Sequence, residues 1–342
     1  MGKRNTFTYI SMNKKYDELK IQFQGKIKEQ EILAPFTTYK VGGPADLFYT
    51  ATTADELVSI VRAARTLDIP FFILGGGSNI LVGDNGFRGL VIKNATSGIA
   101  LKGVKGTVHG DNTKSLVYVE VDTGVPMNRL VRFTIEEGFA GLEMHLGLPG
   151  TVGGAVAMNS KWTRPVASVG DCVHQGIILT SDNEVRQVSV GYFHFSLGKS
   201  SISIHGDILL RVIFALQKCD TESLWKSANE SIEHRRLTQP QGVRTAGCVF
   251  RNISLADAIR FQTPNKTQSA GYLLDASGCK GMKVQGAEVS TIHANFIVTG
   301  SRTTAGDVVE LIDQMKKIVK KKFGVTLKEE IIRVGDFVER LS

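Results

Sequence analysis

Apolar and polar residues alternate along the chain first with a helical period and then with a strand-like one, in short segments that follow one another closely. The earliest clear example begins at Thr53 and Glu56, which fit a capping box at the start of a helix. The apolar face of that predicted helix is formed by Leu57, Val61 and Ala64. The run Phe71–Leu74 predicts a strand that leads directly into three glycines. This order indicates an α/β unit that ends in a phosphate-type loop.

The later pattern predicts a change of domain near Lys218. A second glycine-rich tract, Gly141–Ser160, follows a helix-like segment. Strands are predicted within residues 174–180, 184–190 and 207–216. A charge-rich helix and linker come next, so we expect a domain boundary there. The predicted division is a polar N-terminal extension (residues 1–24), to which we assign no structure, a first domain (25–217) and a second domain (218–342).

The last predicted helix begins at the cap pair Thr304 and Asp307 and ends at Gly324. Its apolar positions are Val308, Leu311, Met315 and Ile318. The net charge of +8 comes largely from the N-terminal tail and from Lys316–Lys322, on the polar side of this helix near its end. No nucleic-acid motif accompanies these lysines, so a solvated face is predicted rather than a nucleic-acid partner.

Composition is that of an ordinary globular protein, 42% hydrophobic and 22% charged over 342 residues. No apolar run approaches the roughly 20 residues that span a bilayer, and the N-terminus has no apolar core of a signal peptide. We therefore expect a cytoplasmic protein without a membrane partner. The four cysteines are Cys172, Cys219, Cys248 and Cys279. They form no CxxC pair, which predicts reduced thiols and no metal site.

The loop "LGGGSNI" (Leu74 to Ile80) is not the G-x-G-x-x-G fingerprint of a Rossmann unit. Three successive glycines can turn backbone N–H groups into one concavity for a pyrophosphate, with Ser78 and Asn79 adding side-chain hydrogen bonds. A sharp strand-to-loop turn is the structural alternative. The Gly-Gly-Pro turn in "TTYKVGGPADLFY" and the glycines of 150–154 favour the ligand, because glycine lets main chain approach a ligand closely. Two such loops suggest one extended ligand.

Six motifs in a fixed order resemble those of the UDP-N-acetylenolpyruvoylglucosamine reductases. They are "TTYKVGGPADLFY", "FFILGGGSNILVGDNGFRGLVI", "GLEMHLGLPGTVGGAVAMNS", "AGCVFRN", "SAGYLLDASGCKGMKVQGAEVSTIHANFIV" and "KKFGVTLKEEIIRVG". The resemblance runs from about Ile32 to Gly335. It implies an α/β and α+β chain of the shorter type: an FAD-binding fold of the vanillyl-alcohol-oxidase (PCMH) type made of two α/β subdomains, then an α+β substrate-binding domain with a C-terminal catalytic segment.

The resemblance also implies the reaction and the partners. A hydride passes from NADPH to noncovalent FAD, and then to the enolpyruvyl ether of UDP-N-acetylglucosamine. The product is UDP-N-acetylmuramate, a peptidoglycan precursor. The implied partner is a small UDP-sugar, and the protein is expected to be a monomer.

Site residues follow from the same motifs. The implied cofactor-binding residues are Tyr39, Val41, Gly42, Gly43, Gly75, Gly76, Gly77, Ser78, Asn79, Gly150, Thr151, Gly153, Gly154 and Ala155. The implied substrate-binding residues are Asn159, Ser200, Arg251, Asn252, Lys280 and His293.

Cys248 occupies the position of the serine that donates a proton in the family's G-S-x-F motif. A thiol with an ordinary pKa of about 8.5 is protonated at neutral pH, so it can serve as an acid. A packed cysteine is the structural alternative. Glu330 matches the family's catalytic glutamate, and Glu329 is expected to point elsewhere.

The chain departs from the family where a "Y-R-x-S" motif is expected. Leu197 and Gly198 stand where its tyrosine and arginine should be, and Ser200 stands at its serine. The family's "MN-A-G-A-Y-G" is also replaced, by residues 158–168. A substitute cation is expected among Lys161, Arg164 and Lys199.

Two other functions fit parts of this pattern. A related FAD oxidase acting on another sugar or alcohol would let reduced flavin react rapidly with oxygen, but the loop after Gly77 has no histidine for covalent flavin attachment. A flavin-binding protein that has lost catalysis would explain the missing arginine, although Glu330 and Cys248 argue against it.

Overall fold

The computed structural model describes residues 3–109, 112–196, 198–203 and 206–337. The helices in this part of the chain are α1 (Lys3–Gln22), α2 (Ala54–Thr66), α3 (Met127–Glu136), α4 (Val152–Ala157), α5 (Thr221–Thr238), α6 (Leu255–Arg260), α7 (Ala270–Ala276) and α8 (Ala305–Phe323). None of the helices searched in the described residues is long and apolar enough to cross a membrane.

The strands are β1 (Ile27–Ile32), β2 (Pro44–Ala51), β3 (Phe71–Leu74), β4 (Ile80–Val82), β5 (Phe87–Asn94), β6 (Ile99–His109), β7 (Asn112–Asp122), β8 (Phe139–Ala140), β9 (Lys161–Thr163), β10 (Val166–Ser168), β11 (Val173–Leu179), β12 (Val185–Ser189), β13 (Ile208–Lys218), β14 (Lys283–Val284), β15 (Ala287–Val289), β16 (Ile297–Thr299) and β17 (Ile332–Val334). They form a four-stranded sheet in the order β1-β2-β5-β3 and a six-stranded sheet in the order β12-β11-β13-β7-β6, with β8 paired to β13. Smaller sheets are β14-β15-β16, β17-β4 and β10-β9.

The chain folds into two compact units that interleave in sequence. The first unit holds the described residues up to Glu29, Leu47–Gly76 and Gly89–Arg235. The second holds Gln30–Asp46, Gly77–Arg88 and the described residues from Arg236 onward. The continuous domains predicted from the sequence, with limits at residues 25, 217 and 342, stay a prediction.

In the first unit, helices pack on one face of each larger sheet. Along β7, Val117, Val119 and Val121 alternate inwards and pack in one core with Leu130 and Val131 of α3. Helix α2 buries Leu57, Val61 and Ala64 as predicted, and Thr53 accepts the Glu56 N–H at its N-terminus. Strand β3 covers the predicted residues. The N-terminal extension, left without structure from the sequence, contains helix α1, whose Leu19 is fully buried.

The second unit is built around α8, which begins and ends as predicted. Thr304 and Asp307 form the reciprocal capping box, and Gly324 ends the helix in the left-handed conformation at φ 71°. Its buried positions include Val308, Leu311 and Met315, which share a core with α7 and the β14-β15-β16 sheet. This core supports the segments that carry Cys248 and Glu330.

Candidate active site

The two glycine loops of the first unit touch one another. A Cβ on Gly76 would lie 2.5 Å from the Cα of Gly150, and a Cβ on Gly75 would lie 2.6 Å from Oγ1 of Thr151. Real Cβ atoms essentially never make contacts this short, and the contact at residue 76 is with backbone, so this position must be glycine for the loops to meet. The loops predicted to share one ligand therefore converge.

A buried polar network fixes the second loop against the end of β5. The side chain of Asn94 donates to Thr123 Oγ1 at 2.9 Å and accepts the hydroxyl of Thr96 at 2.8 Å. The Thr123 carbonyl then accepts the N–H of Gly153 at 2.9 Å. A Cβ on Gly153 would meet Thr123 at 2.9 Å, whereas Gly154 is exposed with only Thr151 nearby. Ala155 is buried in the adjoining core.

Asn159 and Ser200 are both buried, and their side chains bond to nearby backbone. Asn159 accepts the N–H of Gly170 at 3.0 Å and donates to the carbonyl of Ser196 at 3.1 Å. Ser200 donates both its backbone N–H and its hydroxyl to the carbonyl of Ala157. These contacts hold the segment after α4 in place; substrate binding by either residue stays a prediction.

In the second unit, the predicted cofactor residues 39–43 and 77–79 come together through backbone contacts. A Cβ on Gly77 would lie 2.1 Å from the carbonyl of Phe36, and one on Gly43 would lie 2.1 Å from that of Asp84. A Cβ on Gly42 would meet Val82 at 2.7 Å. Val41 is buried in the hydrophobic core that α8 shares with α7 and the β14-β15-β16 sheet. These glycines are required by close packing of the chain on itself, which periodicity alone does not reveal.

Asn79 connects the glycine loop to Glu330, the glutamate predicted to be catalytic. Its side chain donates to the carbonyl of Glu330 at 3.2 Å, and its own carbonyl accepts the N–H of Ile332 at 2.9 Å. Strand β4 continues this contact by parallel pairing with β17. The backbone at Glu330 is therefore fixed by a residue about 250 positions earlier in the sequence.

Cys248 lies on an extended segment between residues 295–297 and residues 328–330. It forms an antiparallel bridge with Phe296, and Phe250 forms one with Glu329. The Glu330 N–H donates to the carbonyl of Val249 at 2.7 Å. The structure thus brings the two predicted catalytic residues to adjacent segments of one unit.

The environment of the Cys248 thiol keeps it protonated. Burial and, to a smaller extent, the charge of Glu330 raise the pKa of Cys248 to about 12, against the opposing effect of a hydrogen bond with Asn295. A thiol with this pKa holds its proton throughout the neutral range. It is unreactive as a nucleophile and has its proton available for transfer, although it is a weaker acid than an ordinary thiol.

Glu329 and Glu330 have different surroundings, as the alternation of a strand predicts. Glu329 pairs with Lys316 and with Arg333, whose Nη2 lies 2.7 Å away. These pairs hold the pKa of Glu329 below its usual value against the opposing effect of burial. Glu329 is accounted for by ion pairs, whereas the charge of Glu330 acts on the Cys248 thiol.

Tyr39 is fully buried, and its hydroxyl has no hydrogen-bond partner among the described residues. Burial, together with the nearby Cys248 and Glu329, raises the pKa of Tyr39 above its usual value. The Tyr39 carbonyl accepts the hydroxyl of Thr299 at 2.6 Å. The phenol therefore lies on the Cys248 side of the second unit; cofactor binding by Tyr39 stays a prediction.

The predicted substrate residues of the second unit differ in whether their polar side-chain atoms have partners within the protein. Arg251 has a buried Nε without a partner in the described structure. Asn252 accepts the N–H of Ala270 at 3.1 Å, and Lys280 pairs with Asp275 at 2.8 Å. A buried guanidinium N–H without an acceptor is costly, so Arg251 has the strongest indication of a missing ligand.

The side chains of His293 and Asn295 both form hydrogen bonds with backbone groups. His293 accepts the Asn295 N–H at its Nδ1 at 3.1 Å, and burial lowers the pKa of His293. Asn295, 2% exposed, accepts the N–H of Phe250 at 2.9 Å and donates to the Phe250 carbonyl at 2.8 Å. Sequence reasoning singled out His293 and missed Asn295. The signal available was only the polar residue within the apolar run "ANFIV".

The loops fit a dinucleotide with a diphosphate. Among the described residues, the backbone N–H groups of Gly76 and Gly77 donate to no protein acceptor, although Gly77 is buried. Buried N–H groups are nearly always paired, so such donors indicate an acceptor supplied by a ligand. The described residues contain no cluster of three or more side chains that could hold a metal ion.

Two family models match the chain. An "FAD binding domain" model matches residues 45–189, and a "UDP-N-acetylenolpyruvoylglucosamine reductase, C-terminal domain" model matches residues 239–334. A relative of that name from Desulfosudis oleivorans is 35% identical and covers 92% of this chain and 96% of the relative. The chain belongs to the UDP-N-acetylenolpyruvoylglucosamine reductase family. The predicted family and the FAD cofactor are thereby confirmed.

Other members of the reductase family match over nearly their whole length. The Bacillus subtilis reductase is 32% identical over 95% of this chain and 99% of the relative. The crystal structure of the reductase from Thermus caldophilus covers 90% of this chain and 99% of its own, with 30% identity and a TM-score of 0.71. The predicted FAD-binding fold class is confirmed by these matches.

The departures at the family's "Y-R-x-S" and "MN-A-G-A-Y-G" motifs lie in the first unit, whereas Cys248, at the family's serine, lies in the second. Leu197, which stands at the family's tyrosine, lies outside the described residues. Lys161 is half-buried on β9, whereas Arg164 and Lys199 are exposed. These three remain the candidates for the cation that replaces the reductase family's arginine.

Proposed function

We propose that this chain reduces UDP-N-acetylglucosamine enolpyruvate to UDP-N-acetylmuramate, with NADPH as the electron donor and noncovalent FAD as the hydride carrier. The observation that carries the mechanism is the juxtaposition of Cys248 and Glu330 at the family's catalytic positions. Membership of the family makes this a step in peptidoglycan precursor synthesis.

Residues of both loops would hold the FAD diphosphate through backbone N–H groups, chiefly those of Gly76 and Gly77. The bound cofactor supplies the hydride that is added to the β-carbon of the enolpyruvyl group. That addition leaves negative charge on the α-carbon and its carboxylate, so the protein must offer cations and then a proton. Arg251 provides a guanidinium with an unused N–H. Lys161, Arg164 and Lys199 are the candidates for the cation that replaces the family's arginine.

Cys248 donates the proton to the α-carbon. The carboxylate of Glu330 keeps the thiol protonated before the reaction, because a neighbouring negative charge disfavours a thiolate. After transfer, the same charge favours rapid return of a proton to sulfur. Asn295 positions the segment by binding both backbone groups of Phe250.

The finer expectations from the sequence complete the proposal. Residues 25–217 would form the FAD-binding domain and residues 218–342 the substrate-binding domain. The protein would act as a cytoplasmic monomer on a small UDP-sugar, without nucleic acid. Light scattering after size-exclusion chromatography, with and without FAD, tests the oligomeric state.

An anaerobic experiment separates the reductase from its two alternatives. The purified yellow protein is reduced with NADPH, the enolpyruvyl UDP-sugar is added, and the flavin absorbance is followed. We expect NADPH to bleach the flavin and the substrate to restore its colour. Restoration by oxygen but not by substrate would favour an oxidase, and no restoration by either would favour a flavin-binding protein without catalysis.

A further inference from the structure

Lys93 projects from the end of β5 beneath the first glycine loop. Its strand pairs in parallel with β3, and Lys93 is opposite Leu74, the last residue before the glycines. The Nζ of Lys93 donates a hydrogen bond to the carbonyl of Gly75. The side chain is half-buried, so its charge lies partly within the protein.

No carboxylate in the described part of the chain pairs with this charge. Among the described residues, the Gly75 carbonyl is the one hydrogen-bond partner of the Lys93 ammonium, and Lys93 forms no ion pair. Burial lowers the pKa of Lys93, and no acidic neighbour raises it. A partly buried ammonium that has only a neutral acceptor is destabilising, and an anion bound beside it would offset that cost.

The place where an anion would reach Lys93 is defined by the loops. Gly75 contacts Thr151, and Gly76 contacts Gly150, so the ammonium lies at the convergence of both glycine loops. The nearby backbone donors are neutral and bind phosphate oxygens without balancing their charge. A cation beside them would balance part of it.

We infer that Lys93 is a cofactor-binding residue whose ammonium balances the negative charge of the FAD diphosphate. The inference rests on the proposed function insofar as that function requires FAD at these loops. It assigns the loops a charged contact in addition to their backbone donors. One charge pair in a partly buried site corresponds to about a 10- to 100-fold change in affinity.

The test compares Lys93→Arg, Lys93→Gln and Lys93→Met in the full chain, freed of FAD and titrated with it. The readouts are the FAD dissociation constant from flavin fluorescence and the thermal unfolding midpoint of the cofactor-free protein. Lys102→Gln is the matched control, because it also removes one positive charge from the first unit, at an exposed lysine paired with Glu120.

We expect Lys93→Arg to bind FAD nearly as wild type does, and Lys93→Gln and Lys93→Met to bind about 10- to 100-fold more weakly, with Lys102→Gln unchanged. Glutamine can still donate to the Gly75 carbonyl. Wild-type affinity in Lys93→Gln would therefore overturn the inference in favour of a hydrogen-bonding role. Equal FAD affinity in all variants would overturn the inference outright. So would a result in which only Lys93→Met binds FAD more weakly and its cofactor-free protein is destabilised to the same extent. Failure of the wild-type protein to bind FAD would instead contradict the proposed function.

Discussion

Replacing Asn295 with alanine should damage both the stability of the second unit and the placement of Cys248. The substitution removes the partners of the Phe250 N–H and carbonyl, which are 2.9 and 2.8 Å from the amide. Phe250 is 1% exposed, so water cannot readily replace the lost partners. Each buried group left unsatisfied costs about 1 to 3 kcal/mol, which gives about 2 to 6 kcal/mol for the pair.

The assay is urea unfolding of the FAD-free protein, combined with the rate at which substrate reoxidises the flavin in the folded holoenzyme. Leu311→Ala is the control: Leu311 is fully buried on α8, and its truncation should cost a similar amount, about 2 to 5 kcal/mol. We expect both variants to be destabilised but only Asn295→Ala to reoxidise slowly. A loss below about 0.5 kcal/mol in Asn295→Ala, or equal reoxidation in the two variants, would refute the role of Asn295 in holding the catalytic segment.

Three further predictions concern titrating groups. A pKa near 12 lowers the thiolate fraction of Cys248 by about 1,000-fold near neutral pH, and the higher nucleophilicity of such a thiolate offsets part of this loss. Cys248 should therefore react with iodoacetamide about 30- to 100-fold more slowly than exposed Cys219, the internal control in peptide mapping. Equal rates would contradict the raised pKa. Burial and the charge of Arg235 lower the pKa of the buried His145 to about 4, so its contribution to stability is present above the unfolded pKa of about 6.5 and is lost as pH falls. Between about pH 7 and pH 5, the free energy of unfolding should therefore fall by about 2 kcal/mol more in wild type than in His145→Leu. Identical pH profiles would contradict this. Glu330→Gln should leave flavin reduction by NADPH nearly intact and slow reoxidation by substrate, as stopped-flow absorbance will measure; equal slowing of both steps would indicate misfolding or cofactor loss.

Local signals in the sequence were sufficient for several elements. The capping box at Thr304 and the glycine at residue 324 fix both ends of α8, since each acts within a few residues of the helix. The strand 71–74 could likewise be read from its apolar run and the glycines after it. Helix α1 could not be predicted from its polar composition, because its buried Leu19 acquires a partner only when the first unit folds.

The site depends on contacts between residues far apart in sequence, which no local pattern contains. The bond from the Glu330 N–H to Val249 and the bond from Asn79 to Glu330 join three distant segments. Family motifs identified Cys248 and Glu330 individually, but not how they are held. Asn295 and Lys93 escaped notice because a polar residue in an apolar run has no distinguishing feature until its partners are known.

The proton donor is the central claim, and one measurement tests it most directly: the rate at which the enolpyruvyl UDP-sugar reoxidises NADPH-reduced Cys248→Ala under anaerobic conditions. A positioned general acid contributes about 10²- to 10⁴-fold, so the account predicts a loss of that size with FAD binding and reduction by NADPH retained, and substantial recovery in Cys248→Ser. Near-normal reoxidation in a well-folded Cys248→Ala protein would contradict the account and leave the thiol as a packed side chain.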